Sequence, residues 1–362
     1  MRRLSTLIGV LAVAILPAVV ASEPAQAHED PAQAHLRLQP VWHDFDTGTI
    51  AGLRGLSAVS RRTAWASGTD GEVLRTPDGG RTWLHVGPPG TQSLQFRDIE
   101  AFDDQHAVIM AAGVGEDSRI YVTADGGATW TESFHNTEPT AFYDCMAFFD
   151  RSHGIALSDP VNGTFRILST SDSGRTWTVL PIDGMPPALA GEFAFAASGT
   201  CVAAASGRHA WFATGGGAVT RVFHSDDRGL TWTAVDTPFV TGPTAGIYSL
   251  AFRDARHGIA VGGDFLAPTT GTDAAAWSAD GGRTWRIADR VPGEYRSGVA
   301  WTILPSVAIA VGPTGSDITV NAGRTWQRFD SGNLDGVDCA ADGACWGSGS
   351  NGRIARLGLT LS

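Results

Sequence analysis

Thr76-Pro-Asp-Gly-Gly-Arg-Thr-Trp83 returns four more times along the chain: Thr123-Ala-Asp-Gly-Gly-Ala-Thr-Trp130, Thr170-Ser-Asp-Ser-Gly-Arg-Thr-Trp177, Ser225-Asp-Asp-Arg-Gly-Leu-Thr-Trp232 and Ser278-Ala-Asp-Gly-Gly-Arg-Thr-Trp285. A sixth copy, Thr319-Val-Asn-Ala-Gly-Arg-Thr-Trp326, carries Asn321 where the others carry Asp78, Asp125, Asp172, Asp227 and Asp280. The octapeptide is turn chemistry. A short polar side chain accepts backbone N–H groups within the turn, glycine supplies a left-handed backbone, and tryptophan anchors the hairpin. It lacks the alternating oxygen ligands and the distant bidentate Glu of a calcium loop. These Asp-box residues therefore read as structural.

Upstream of each box, short apolar runs alternate with turn residues, as in residues 56–68 and 71–75, without the sustained period of a helix. Each unit reads as four strands, A to D, with the box at the C–D turn. After Trp326 the chain supplies strands A to C of one further unit and lacks D. The missing strand lies at the other end, where Trp42-His-Asp-Phe-Asp-Thr-Gly48 mirrors Trp326-Gln-Arg-Phe-Asp-Ser-Gly332. Trp42, Trp83, Trp130, Trp177, Trp232, Trp285 and Trp326 fall 41, 47, 47, 55, 53 and 41 residues apart. The pattern predicts an all-β protein, a seven-bladed β-propeller closed by an N-terminal strand that completes the last blade. Closure removes sheet edges that would otherwise template aggregation. Residues 39–362 form a single domain in this reading.

The first 27 residues carry the basic start, the apolar stretch and the small-residue cleavage site (near Ala27) of a secretory signal. Residues 28–38 read as a disordered lead-in. No later run is long and apolar enough to suggest a membrane span, so an exported protein, secreted or periplasmic, is expected. The formal net charge of -11 argues against a nucleic-acid partner. All 26 basic residues are arginine, which reads first as compositional bias. Four cysteines suit an oxidising compartment. Cys339 and Cys345 flank a tight turn and are expected to bridge, whereas Cys145 and Cys201 fall at different depths of their repeats and read as buried thiols. No metal or cofactor motif is present, and a monomer is expected.

In a propeller, the starts of the innermost strands and the B–C loops line one face of the central channel. Aligning the repeats places Arg54, Arg97, Asp144, Glu192, Tyr248, Arg296 and Asp335 at or within one position of the start of strand A. Tyr143, Tyr295 and the loop acids Glu116, Asp117, Asp159 and Asp264 extend this funnel. Two readings stand. The charges pair with one another as a hydrated plug, because buried charge requires a partner, or the arginines grip a carboxylate or peptide group, oriented by Tyr and acid neighbours. His106, His153 and His257 recur at the A–B turn of separate blades, too far apart to act together, and read as structural.

The combined pattern, a Trp-Ala-x-Gly strand followed by Gly-x-Val/Ile-x-x-Thr-x-Asp-Gly-Gly-x-Thr-Trp, resembles the photosystem II stability and assembly factor family of seven-bladed propellers, within the wider neuraminidase-repeat superfamily. The resemblance covers nearly all of the chain after the leader. It implies a non-catalytic factor that binds a protein client, and the favoured reading is a secreted or periplasmic binding protein that recognises a peptide, protein or glycan on the channel's top face. The alternative is a sialidase-like or other glycoside hydrolase, since Asp boxes occur there too and the funnel holds arginines, a Tyr nucleophile and acids. Against it, the sialidase Arg-Ile-Pro signature is missing, with only Phe165-Arg-Ile-Leu168 distantly similar, and seven blades replace six.

Overall fold

The computed structural model describes residues 38–361. The expected secretory leader, residues 1–27, and all but the last residue of the expected lead-in, residues 28–38, lie outside them. Leu38 is already the first residue of a strand, one position ahead of the expected boundary. Among the described residues, 28 strands form seven four-stranded antiparallel sheets. Six are consecutive A-to-D meanders, beginning with Leu53–Ala58, Phe96–Ala101, Tyr143–Phe148, Val202–Ala205, Ala245–Phe252 and Gly298–Trp301. These are blades 1 to 6. In blade 7, strands Gly336–Cys339, Cys345–Ser348 and Ile354–Leu361 take Leu38–Phe45 as the fourth, paired from Leu38 with Leu361 to Phe45 with Ile354. Among the described residues no helix is long and apolar enough to cross a membrane.

The boxes show why their residues repeat. Asp78 Oδ1 accepts the Thr82 N–H at 2.9 Å and the Thr76 hydroxyl at 3.0 Å, while Oδ2 accepts the Thr82 hydroxyl at 2.8 Å. Asp125, Asp172, Asp227 and Asp280 repeat the same bonds. Asn321 substitutes without loss: its carbonyl accepts the Thr325 N–H at 2.9 Å, and its amide donates to the Thr325 hydroxyl at 2.9 Å. The fifth box residue must be glycine. Gly80 has φ +88°, and a Cβ there would stand 2.6 Å from the Phe45 ring. At the A–B turns, Nδ1 of His106, His153 and His257 lies within 3.0 Å of Asp103, Asp150 and Asp254. Each histidine is thus tied to its own turn.

Apolar side chains pack chiefly between adjacent blades, so each sheet is covered on both faces. Cys339 and Cys345 are disulfide-bonded. Cys145 and Cys201 are bonded too, with Cα atoms 6.0 Å apart, which corrects their reading as free thiols. They sit at equivalent depths of blades 3 and 4, because the innermost strand of blade 4 starts at Val202, well after Glu192. The bridge staples two blades across a separation of 56 residues. Replacing both cysteines with serine is expected to cost about 2–4 kcal/mol, through the loop-closure entropy restored to the unfolded chain. Urea unfolding checks this, and an unchanged midpoint would refute a stapling role.

Candidate ligand-binding site

Strand A carries a β-bulge in blades 1, 2, 3 and 5, with the pairing register slipping across Arg54, Arg97, Asp144 and Tyr248 respectively. A bulge leaves one residue outside the ladder and re-aims its side chain. Here it delivers Arg54, Arg97 and Tyr248 to a cavity of about 540 Å³ at the mouth of the channel. Tyr295, Ser297, Asp335 and Ser350 also line it. The remaining wall is apolar: Phe195, Ala196 and Ala197 from the long connection into blade 4, Phe265 and Pro268 from the blade 5 B–C loop, and Pro313.

The charged half is under-partnered. Arg54 makes no side-chain hydrogen bond or ion pair among the described residues. Arg97 donates to Gln95 Oε1 at 2.8 Å and to the Ala196 carbonyl at 3.2 Å, while its Nε is buried without an acceptor. Burial lowers the Arg97 pKa, Arg54 lowers it further, and Asp144 opposes both. Burial raises the Asp335 carboxyl against the pull of Arg54, and Ser350 donates to it at 3.4 Å. Among the described residues no salt bridge within 4.0 Å joins Arg54, Arg97, Asp144 or Asp335, though against the effect of burial Arg54 lowers the Asp335 pKa and Arg97 that of Asp144 at longer range.

The aromatic half is ordered by ring contacts. Phe195 stacks on Tyr248 with centroids 3.7 Å apart, and Tyr295 meets Tyr248 edge-on at 4.8 Å. Phe265, 48% exposed, stands at the rim 6.4 Å from Tyr248. The Tyr248 hydroxyl donates to the Thr244 carbonyl at 2.7 Å, and burial, then Asp264, pushes its pKa up. A nucleophilic tyrosine needs a proton acceptor and a stabilised phenolate. Tyr248 has neither.

Several expected funnel residues do other work. Glu192 lies outside the lumen, locked to Arg221 by Nε–Oε1 at 2.8 Å and a second contact from Nη2, with Thr214 donating at 2.7 Å. Thr200 takes the strand-start position instead, bonded to Ser249 at 2.6 Å. Arg296 turns inward to Asp317, with Nε–Oδ2 at 2.7 Å and Nη2–Oδ2 at 2.6 Å, and Ser297 faces the cavity in its place. Tyr143 lies beside a separate cleft between blades 2 and 3. Glu116 and Asp117 form a short 3-10 turn away from the cavity.

Two acids, Asp264 and Asp159, act as supports. Asp264 accepts the Thr244 hydroxyl at 2.7 Å and the Leu266 N–H at 3.0 Å, shaping the loop that presents Phe265. Asp159 accepts the Ala194 N–H at 2.8 Å, which holds the segment carrying Phe195. Burial pushes Asp159 up to about 7. Behind Arg97, Asp144 is pushed well above the usual carboxylate range by burial and then by Asp159, and its Oδ2 has no partner. Phe195 was not anticipated from sequence. Its one signal was the 55-residue gap between Trp177 and Trp232, the longest in the series.

Fold and cavity together define an Asp-box propeller with an amphipathic pocket at the mouth of its channel. No protein-family model matches the chain, and none of the curated proteins matches it. Among solved structures it is similar to "YCF48 bound to D1 peptide", at 13% identity, covering 87% of this chain and 94% of that one, TM-score 0.61. It is also similar to YCF48 from Cyanidioschyzon merolae, at 15% identity, covering 87% and 98%, TM-score 0.62. The WD40 repeats of RRP9 match at 11% identity over 90% and 100%, TM-score 0.61. At such identities the likeness is one of fold, and it agrees with the resemblance drawn from the repeats.

Proposed function

We propose that this propeller is an exported, non-enzymatic binding protein that captures a peptide segment of a client protein in the pocket at the channel mouth. The observation that carries the reading is the juxtaposition of two under-partnered guanidinium groups, Arg54 and Arg97, with the aromatic shelf of Phe195, Tyr248 and Phe265. A carboxylate beside an aromatic or aliphatic side chain satisfies both halves at once. That YCF48 has been seen with a D1 peptide lends the same fold a precedent for peptide capture. Export is favoured by the leader and by two disulfides, which persist in oxidising compartments. The Tyr248 hydroxyl's bond to the Thr244 carbonyl and its raised pKa weigh against a sialidase.

The test is a random-peptide display selection on the purified protein. Enriched sequences are expected to place Asp, Glu or a free C-terminus next to an aromatic or large aliphatic residue. Affinity is expected to fall about tenfold or more in Arg54→Gln/Arg97→Gln, through loss of charge-assisted bonds, in a protein that still unfolds in a single cooperative transition. Selection of glycans in place of peptides on an array, or turnover of a fluorogenic sialoside abolished by Tyr248→Phe, would overturn the proposal.

A further inference from the structure

The repeats supply an internal control for a second site. Four residues before each box, at the start of strand C, stand Glu72, Arg119, Arg166, Arg221, Ala274 and Gly315. Blade 7 has no box, but the Gly349 N–H donates to the Arg353 carbonyl as the Gly68 N–H donates to that of Glu72, so Arg353 is the equivalent residue. Where this residue is charged, strand D usually answers it two residues after the blade's tryptophan. His85 lies 3.0 Å from Glu72, Glu132 lies 3.5 Å from Arg119, and Asp44 lies 2.9 Å from Arg353. In blade 4 the strand D position is Ala234, and the long connection supplies Glu192 to Arg221. Blade 3 breaks the rule. Its strand D residue is Val179, and Arg166 makes no side-chain hydrogen bond or ion pair among the described residues.

Arg166 opens onto a cleft of about 320 Å³ between blades 2 and 3, lined by Phe134, Glu138, Tyr143 and Val179 among others. The Tyr143 ring is buried and packs edge-on against Phe134 at 5.4 Å, and its hydroxyl has no hydrogen-bond partner among the described residues. Half-exposed Val179 adds apolar surface. Other polar groups at the cleft are already engaged. The Asn136 amide donates to the Gly115 and Glu138 carbonyls at 2.8 and 2.9 Å, and His135 Nδ1 lies 3.0 Å from Glu132. Glu138 lines the cleft but forms no ion pair with Arg166.

We infer that this cleft is a second ligand site, which takes a carboxylate carried on an aromatic or aliphatic body. The Arg166 guanidinium and the Tyr143 hydroxyl hold the carboxylate, and Phe134 and Val179 contact the body. The ligand's carboxylate fills the role that Glu132, Glu192 and Asp44 play for the equivalent arginines. The site is separate from the pocket at the channel mouth, and its existence does not depend on the function of that pocket.

Phenylacetate is the probe, with phenylacetamide as its uncharged isostere, each titrated into the full-length protein by calorimetry. Phenylacetate is expected to bind about tenfold tighter than the amide, because a charge-assisted bond is roughly twice as strong as a neutral one. Arg166→Gln is expected to remove that advantage, and Tyr143→Phe to reduce it. Val179→Glu installs the strand D carboxylate that blade 2 carries and is expected to close the site, while Val179→Gln leaves it open. Every titration is made in the Arg54→Gln/Arg97→Gln background, which removes the carboxylate grip of the channel-mouth pocket, so the preference for acid over amide that remains is read from the cleft. Equal affinity for acid and amide in that background, or an unchanged preference for the acid on adding Arg166→Gln or Val179→Glu to it, would each overturn the inference.

Discussion

Removing residues 38–45 is expected to leave a chain that no longer unfolds cooperatively and that aggregates at concentrations where the full protein stays in solution. The strand contributes more than the eight-residue ladder along Ile354–Leu361. Its Trp42 is buried in a cluster with Ile309, Val311, Leu334 and Val337, and its indole N–H donates to Ser316 of blade 6 at 3.0 Å. Phe45 packs on Trp346 of blade 7 at 5.4 Å and reaches the Gly80 turn of blade 1. One strand therefore ties three blades together. Its loss exposes the outer edge of Ile354–Leu361 and uncovers aromatic surface on blades 1 and 6, where each fully buried large side chain is worth about 1.5–3 kcal/mol. Denaturant unfolding followed by tryptophan fluorescence is the measurement. Because the deletion leaves no folded reference, Trp42→Ala provides the graded version, with an expected loss of about 3–5 kcal/mol. A truncated chain with the wild-type midpoint would show that the ring does not depend on this strand.

The fold was legible because its loudest signal is local. An Asp box forms from contacts within eight residues, so its Asp, Gly and Trp recur wherever the turn recurs, and counting them counts blades. The pocket was legible only where blades keep a common length. Arg54, Arg97, Asp144 and Tyr248 were found because the bulge sits at the same distance from the A–B turn in their four blades. Blade 4 carries extra residues ahead of its first strand, so the alignment put Glu192 where Thr200 stands, and the same slip hid the Cys145–Cys201 bridge. Blade 6 fails differently. Neighbours on a strand face opposite ways, so a one-residue offset exchanged Ser297, which faces the cavity, for Arg296, which faces the blade. Phe195 and Phe265 lie on connections whose length and sequence do not repeat, and only the folded chain shows that they meet Tyr248.

Arg54 and Arg296, a pair that sequence alone placed in one ring, are expected to fail in opposite ways when replaced by leucine. Arg296 is 1% exposed and bonds Asp317 through two nitrogens, with further bonds to the Tyr295 carbonyl at 2.8 Å and the Thr314 hydroxyl at 3.2 Å. Arg296→Leu strands a buried carboxylate, at a cost of about 3–5 kcal/mol. Burial raises the Asp317 pKa, and Arg296 is what pulls it back down. Without the arginine the folded-state pKa rises further above the unfolded value, so the folded protein binds the proton more tightly. The penalty is therefore largest at neutral and higher pH and shrinks as pH falls toward the range where Asp317 is protonated. Arg296→Leu/Asp317→Leu, which removes both charges, is expected to recover most of the loss. Arg54 has no hydrogen-bonded partner among the described residues and only offsets the burial of Asp335 through its charge, so Arg54→Leu is expected to cost clearly less stability than Arg296→Leu while weakening peptide capture. Thermal unfolding from acid to neutral pH, run beside peptide binding, separates the two residues. Wild-type melting with lost binding in Arg296→Leu would return that arginine to the site and remove it from the frame.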